Sequence, residues 1–237
     1  MGVNAQTTVP KFTAGQVLTA AQQTAINTGI PVFATTTTRD DAFGGTGEKV
    51  LAEGQFAYIE ATNTTQYYDG AAWQTVGGGL TLIKTQTIGS AVSTVTVTNA
   101  FSATYDNYKI LVNGGSASAS TYLKMTLGAA STNYYWGSLF RSYGGTSGGD
   151  QLANGAFWLA GSAKSDGLKL NMDVQNPFAT ATTGFQAIYE GIATNGELNV
   201  NAGYLNNTTS YTDFTLAPNA GTITGGTIRV YGYANTN

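Results

Sequence analysis

Cysteine and histidine are both absent from this sequence, and their absence removes much of the familiar chemistry of enzymes. The chain can build no Ser-His-Asp triad, no thiolate nucleophile, no disulfide and no zinc site of the usual nitrogen and sulfur type. Charge is scarce as well: Asp, Glu, Lys and Arg make up 10% of the residues, against roughly 25% in an ordinary globular protein. Thr, Asn, Ser, Gln and Gly supply the polarity instead, which gives a neutral, hydrogen-bonding surface. The 10 basic residues are thinly spread and the net charge is -3. Phosphate binding needs clustered Lys and Arg, so nucleic acid is not expected as a partner. No run approaches the roughly 18 apolar residues of a membrane span, and residues 1–30 lack the apolar stretch of a signal peptide. Met1-Gly2 is no myristoylation signal, because Gln6 stands where Ser or Thr is wanted. Membrane insertion is therefore not expected.

What is present divides at Gly77-Gly78-Gly79, a triplet whose free backbone rotation separates two stretches of different pattern. Before it, residues 1–34 read as an irregular polar arm with one short helix. Thr19-Ala20-Ala21-Gln22 has the spacing of a capping box and Gly29 and Pro31 mark the stop. So short a helix is unstable alone in water and must dock on something. Val9, Phe12, Val17, Leu18 and Ile26 are its candidate anchoring residues. Residues 35–76 read as a small aromatic-rich β-meander, built from Gln55 to Glu60, a turn at Asn63-Thr64, Thr65 to Tyr68, a turn at Asp69-Gly70, and Trp73. The Thr35 to Thr38 run reads as a linker or pairing strand.

Residues 80–237 read as all β. Runs of Thr, Val, Ile, Tyr, Phe and Leu recur with turn signals between them and no helix pattern, about ten strands in all. The expected fold class is mostly β, with an antiparallel, jelly-roll-like β-sandwich as the C-terminal domain. Its strands are rich in Thr and poor in the edge charges that keep lone sandwiches from pairing side by side. The helix near Thr19 and the meander also carry more apolar surface than such short segments cover alone. Both features favour a closed homo-oligomer.

Glycosidase work needs two carboxylates facing each other across a sugar bond, and the chain has 13. Asp69 and Asp166 precede Gly, Asp106 precedes Asn, and Asp40-Asp41 stands at a helix or turn start, so turn and cap roles account for these. Asp150, Asp173, Glu190, Glu197 and Asp213 are left, and no spacing unites a pair on one strand face. No catalytic residue, metal ligand or cofactor is assigned, and the chain is expected not to be an enzyme. Aromatics are more informative, because a sugar ring stacks on Tyr or Trp while Asn, Thr and Ser bind its hydroxyls. Tyr134, Tyr135 and Trp136, with Arg141, Tyr143 and the loop Gly144 to Asn154, have that composition. The competing reading places Trp136 and one Tyr in the core. Neighbours on a strand face opposite ways, so one of Tyr134 and Tyr135 turns outward if the segment is extended.

Several stretches carry a family likeness. Phe12-Thr13-Ala14-Gly15-Gln16-Val17-Leu18-Thr19-Ala20-Ala21, Gly29 to Ala34, Thr38-Arg39-Asp40-Asp41-Ala42, Gly54 to Ile59 and Tyr67 to Trp73 resemble the opening of tailed-bacteriophage tail-fibre and minor virion structural proteins. Gly221 to Tyr233 resembles the closing strand of their distal domains. The resemblance implies a virion surface protein assembled in the host cytoplasm. Its N-terminal part would attach to other virion proteins of the baseplate, tail or capsid, its C-terminal part would face host-surface polysaccharide, and three copies would assemble as a homotrimer. A short fibre for host adhesion is the first expectation. A head fibre or capsid-decoration protein of the same construction is the alternative, and a carbohydrate-degrading tailspike is a third reading from another class.

Overall fold

The structure is a computed structural model. It describes residues 5–26, 29–77, 79–193 and 196–235, without the side chains of residues 24–26. The chain is mostly β and forms two compact units, residues 1–78 and 79–237.

In the first unit α1 (Ala20–Ile26) begins as the sequence predicts. The Gln22 amide donates to Thr19 Oγ1 at 3.2 Å and the Thr19 amide to Gln22 Oε1 at 2.9 Å, the two reciprocal bonds of a capping box. After β1 (Val32–Phe33) comes α2 (Thr36–Asp40), where the Thr run suggested a linker or strand. Thr35 and Thr38 cap one another, with the Thr38 amide donating to Thr35 Oγ1 and the Thr35 amide to Thr38 Oγ1. These local bonds outweigh the β preference of threonine. The strands β2 (Phe56–Ile59), β3 (Thr64–Tyr68) and β4 (Trp73–Thr75) complete a sheet of order β1-β2-β3-β4.

The arm is not separate from this meander. Its Val9 amide donates to the Ala42 carbonyl, the Lys49 amide donates to the Val9 carbonyl, and Val9 is buried with Phe33, Ala42, Ala57 and Ile59. Residues 5–10 therefore pack on the meander, and the apolar surface for which the sequence suggests another copy is partly covered within the unit. Arg39 is buried beside this core, its guanidinium 4.6 Å from the Trp73 ring centre and bonded to Asp40 and Gln66. Stacking and pairing offset the cost of burying that charge.

The second unit contains β5 (Leu80–Thr87), β6 (Val95–Val97), β7 (Asn107–Asn113), β8 (Ser116–Ala117), β9 (Thr121–Leu127), β10 (Tyr134–Ser142) and β11 (Ser147–Gly155). It continues with β12 (Trp158–Lys164), β13 (Gly167–Gln175), β14 (Thr183–Glu190), β15 (Glu197–Leu205), β16 (Phe214–Pro218), β17 (Ile223–Thr224) and β18 (Thr227–Tyr233). One antiparallel sheet runs β11-β10-β15-β14-β13-β7-β18-β5, and a second runs β12-β9-β16-β6. Strand β13 joins them, pairing with β12 through Gly167 to Lys169 and with β7 through Leu170 to Gln175. The sheets face each other over one core, forming a β-sandwich. Tyr134 of the first sheet meets Trp158 of the second edge-on at 5.4 Å, and Trp158 lies 4.7 Å from Phe185.

One expectation needs correction here. The glycine-rich stretch 147–155 is an edge strand, held by pairing with β10 despite its poor strand propensity. The edges of the first sheet each carry one charge, while β6, at the edge of the second, carries none. β11 carries Asp150, whose carboxylate accepts the Gln151 amide at 2.8 Å. β5 carries Lys84 beside a register shift. A charge and an irregularity are the usual devices against edge-to-edge pairing.

Candidate recognition face

Side chains alternate along each strand, so β10, β15 and β14 present every second residue to the outside of the sandwich. Cross-strand register places these residues in rows: Tyr135, Tyr204 and Gly184; Gly137, Ala202 and Gln186; Leu139, Val200 and Ile188; Arg141, Leu198 and Glu190. At one end of the face the Tyr135 and Tyr204 rings stack with centres 5.0 Å apart and planes 6° from parallel. A shallow cleft of about 330 Å³ lies beside them, whose lining includes Tyr135, Trp136, Gly137, Gln151, Leu152 and Tyr204. Gly137 has open space where a side chain would stand, which keeps the floor of this cleft flat. Gly203, on the inner side, has the opposite reason to be glycine. An added Cβ there would lie 2.0 Å from the Tyr135 carbonyl oxygen, so its absence is what lets β15 lie against β10.

The segment Tyr134-Tyr135-Trp136 splits as alternation requires. Tyr134 and Trp136 are buried in the sandwich and only Tyr135 reaches the outer face. Tyr134 is therefore withdrawn as a ligand-binding candidate, while Trp136, largely buried, still contributes to the lining of the cleft. The Tyr134 hydroxyl accepts the Leu127 amide at 2.7 Å and donates to the Ala130 carbonyl at 3.3 Å. Burial pushes its pKa up to about 12. Arg141 lies at the far end of the face, exposed and in no ion pair among the described residues. Tyr143 stands just beyond β10, 72% exposed. Tyr204 and Gln151 were not singled out from sequence. Tyr204 sits in an apolar alternation that reads as core, and Gln151 in a stretch that reads as loop.

The anchoring candidates divide too. Val9 is withdrawn, because it belongs to the core of its own unit. Val17 is 89% exposed, Phe12 is exposed and Leu18 half-buried, while the side chain of Ile26 lies outside the described residues. The same unit exposes Phe56 and Tyr67, paired across β2 and β3 with ring centres 6.3 Å apart.

The remaining carboxylates mostly hold structure. Asp173 pairs with Lys109 at 3.2 Å and accepts from the Tyr233 hydroxyl. Burial and that carboxylate push the Tyr233 pKa up to about 12. Glu190 joins Lys169 and Lys164, which lower its pKa. Asp213 accepts the Asn99 amide at 2.8 Å. Glu197 accepts from Asn199 inside the sandwich. Among the described residues no three carboxylates converge in a way that could hold a metal ion, and no helix is long and apolar enough to cross a membrane. Comparison of the chain with protein families, with curated proteins and with solved structures finds no match.

Proposed function

We propose that this protein is a non-enzymatic structural protein of a tailed-bacteriophage particle, a short fibre whose β-sandwich binds a neutral glycan on the host surface. The observation that carries the glycan reading is the stacked Tyr135–Tyr204 pair at the edge of a shallow, uncharged cleft. Each ring of the stack keeps one face free of its partner to offer a sugar, and Gln151 beside them offers an amide to its hydroxyls. Residues 1–78 attach the fibre to its particle through exposed side chains such as Phe12 and Val17, and three copies form the working unit. Resemblance in sequence supplies the phage context and the count of three.

The test is binding of fluorescently labelled protein to host cells before and after periodate oxidation of their surface sugars. Binding should be lost after oxidation and should change little between about 50 and 500 mM salt, since no ion pair carries it. Binding that survives oxidation, or collapses in salt, overturns the glycan reading. Release of reducing sugar from host polysaccharide transfers the protein to the tailspike class, and immunogold labelling of whole particles separates a tail fibre from a head fibre.

A further inference from the structure

The outer face of the first sheet is not level. Register links one residue from each of six strands in a row that crosses it: Gln151 of β11, Gly137 of β10, Ala202 of β15, Gln186 of β14, Asp173 of β13 and Lys109 of β7. Glycine and alanine stand near its middle, whereas Tyr135 and Tyr204 rise on one flank and Leu139, Val200 and Ile188 on the other. Same-face positions lie about 6.8 Å apart along a strand, so the flanks stand roughly 14 Å apart over a floor with almost no side chain. The result is a groove that runs across the strands. Neither conformation nor packing asks for glycine at position 137: its φ is not positive and an added Cβ would meet nothing. A glycine that weakens its strand without such a reason fits a place where a ligand approaches closely.

Three depressions follow this row and share residues where they meet. One of about 550 Å³ touches Leu139, Gly149, Gly137 and Gln151. The cleft beside the tyrosines shares Gly137 and Gln151 with it and reaches Ala202. The third, of about 170 Å³, begins at Ala202 and ends at Asp173 and Lys109. Five strand spacings of about 4.8 Å give the row a length of roughly 24 Å, whereas the stacked tyrosines span only two neighbouring strands. The groove offers hydrogen bonds without net charge. Among the described residues the side-chain amides of Gln151 and Gln186 bond to nothing in the chain, while Asn199 and Asn201 on the inner side are committed to Glu197, Tyr189 and Leu159. At the far end Lys109 and Asp173 pair at 3.2 Å, one cation against one anion. Amides and a balanced pair suit sugar hydroxyls, each of which donates and accepts. A polyanion finds a single cation there, already paired. The backbone of the floor is committed to the ladder, so an extended polypeptide would find few partners for its own N–H and C=O groups.

We propose that the ligand is a linear, uncharged polysaccharide segment of several sugar units, laid across the strands along the Gly137–Ala202 groove from Gln151 to the Lys109–Asp173 pair. The Tyr135–Tyr204 stack is then one wall of the site and not the whole of it. The proposal rests on the glycan part of the proposed function and adds the length and course of the ligand. The test is calorimetric titration of the full chain with linear oligosaccharides of neutral hexoses and N-acetylhexosamines, graded in size from disaccharide to hexasaccharide. In a series that binds, affinity should rise about ten-fold or more from the shortest to the longest member and level off once the groove is filled. Gly137→Val and Ala202→Leu place side chains on the floor at exposed positions. Each should weaken the hexasaccharide about ten-fold or more while keeping the wild-type circular dichroism. Gln186→Ala, a surface truncation that leaves packing alone, should weaken it about three-fold through one lost hydrogen bond, and it decides the matter if a floor variant fails to fold. A disaccharide that binds as tightly as the hexasaccharide confines the site to the tyrosine pair, which overturns the groove while the glycan reading stands. A length gain that survives in the folded floor variants and in Gln186→Ala also overturns it, because the chain then runs elsewhere. No binding at any length removes the glycan reading and the groove together.

Discussion

The two faces of β10, β14 and β15 are built from residues of similar hydrophobicity doing opposite work. Inward, Tyr134, Trp136, Phe185 and Tyr189 are buried against the second sheet. Outward, one residue away on the same strands, Tyr135, Leu139, Ile188, Val200 and Tyr204 remain partly or largely exposed. The difference teaches that apolar character alone does not decide which side of a strand is core. Opposition to Trp158 and its neighbours decides the inner face, and no strand among the described residues of the unit covers the outer one. Stability and recognition should therefore separate along a single strand, residue by residue.

The sharpest way to break this comparison is to remove the ring on which the inner face packs. Trp158→Ala should cost about 3 to 5 kcal/mol, read as a lower urea midpoint. A cost under about 1 kcal/mol would mean that the inner face is not the core. Next in size is Tyr134→Phe, which leaves the Leu127 amide without its acceptor and should cost about 1 to 3 kcal/mol.

The same tyrosines give a pH dependence. Burial raises Tyr134 to about 12 and Tyr189 further above its ordinary value. Below the unfolded value near 10 both phenols are protonated in either state, so their contribution is fully present. As pH climbs from 10 toward 12 the unfolded chain gives up these protons first, and stability falls. Urea midpoints at pH 8, 10 and 11.5 should be flat and then drop, and Tyr134→Phe should blunt the drop. A midpoint that rises with pH contradicts the burial.

The smallest expected effect lies on the outer face. Leu139→Ser should change monomer stability by no more than about 0.5 kcal/mol, measured by urea denaturation at a concentration where the wild type is a single chain. A loss of several kcal/mol would show that the two faces are not distinct in the way described.

Much of the architecture was legible in the sequence because strand signals are local. Runs such as Tyr122 to Leu127 and Leu168 to Val174 alternate cleanly and lie within β9 and β13. The Thr19–Gln22 cap was legible for the same reason, since its partners stand three residues apart. What escaped depends on distant partners. β11 exists because β10 offers it a ladder, not because Ser147 to Gly155 prefer to be extended. Which face of β15 is buried is decided by the strands on either side, so its own alternation does not specify it. The candidate site was half legible for the same reason: Tyr135 followed from alternation, whereas its stacking partner Tyr204 lies 69 positions along the chain and meets it only through the β10–β15 register.

The most direct test of the recognition face is calorimetric titration of the full chain with a panel of neutral hexose and N-acetylhexosamine oligosaccharides, beside a Tyr135→Ala/Tyr204→Ala variant. At least one oligosaccharide should bind the wild type weakly, with an affinity nearly unchanged by salt. The variant should keep its fold and lose that binding by at least ten-fold, since it removes both aromatic rings on which the sugar would stack. Equal binding by wild type and variant would contradict the account, because the sugar would then be held somewhere other than the stacked tyrosines.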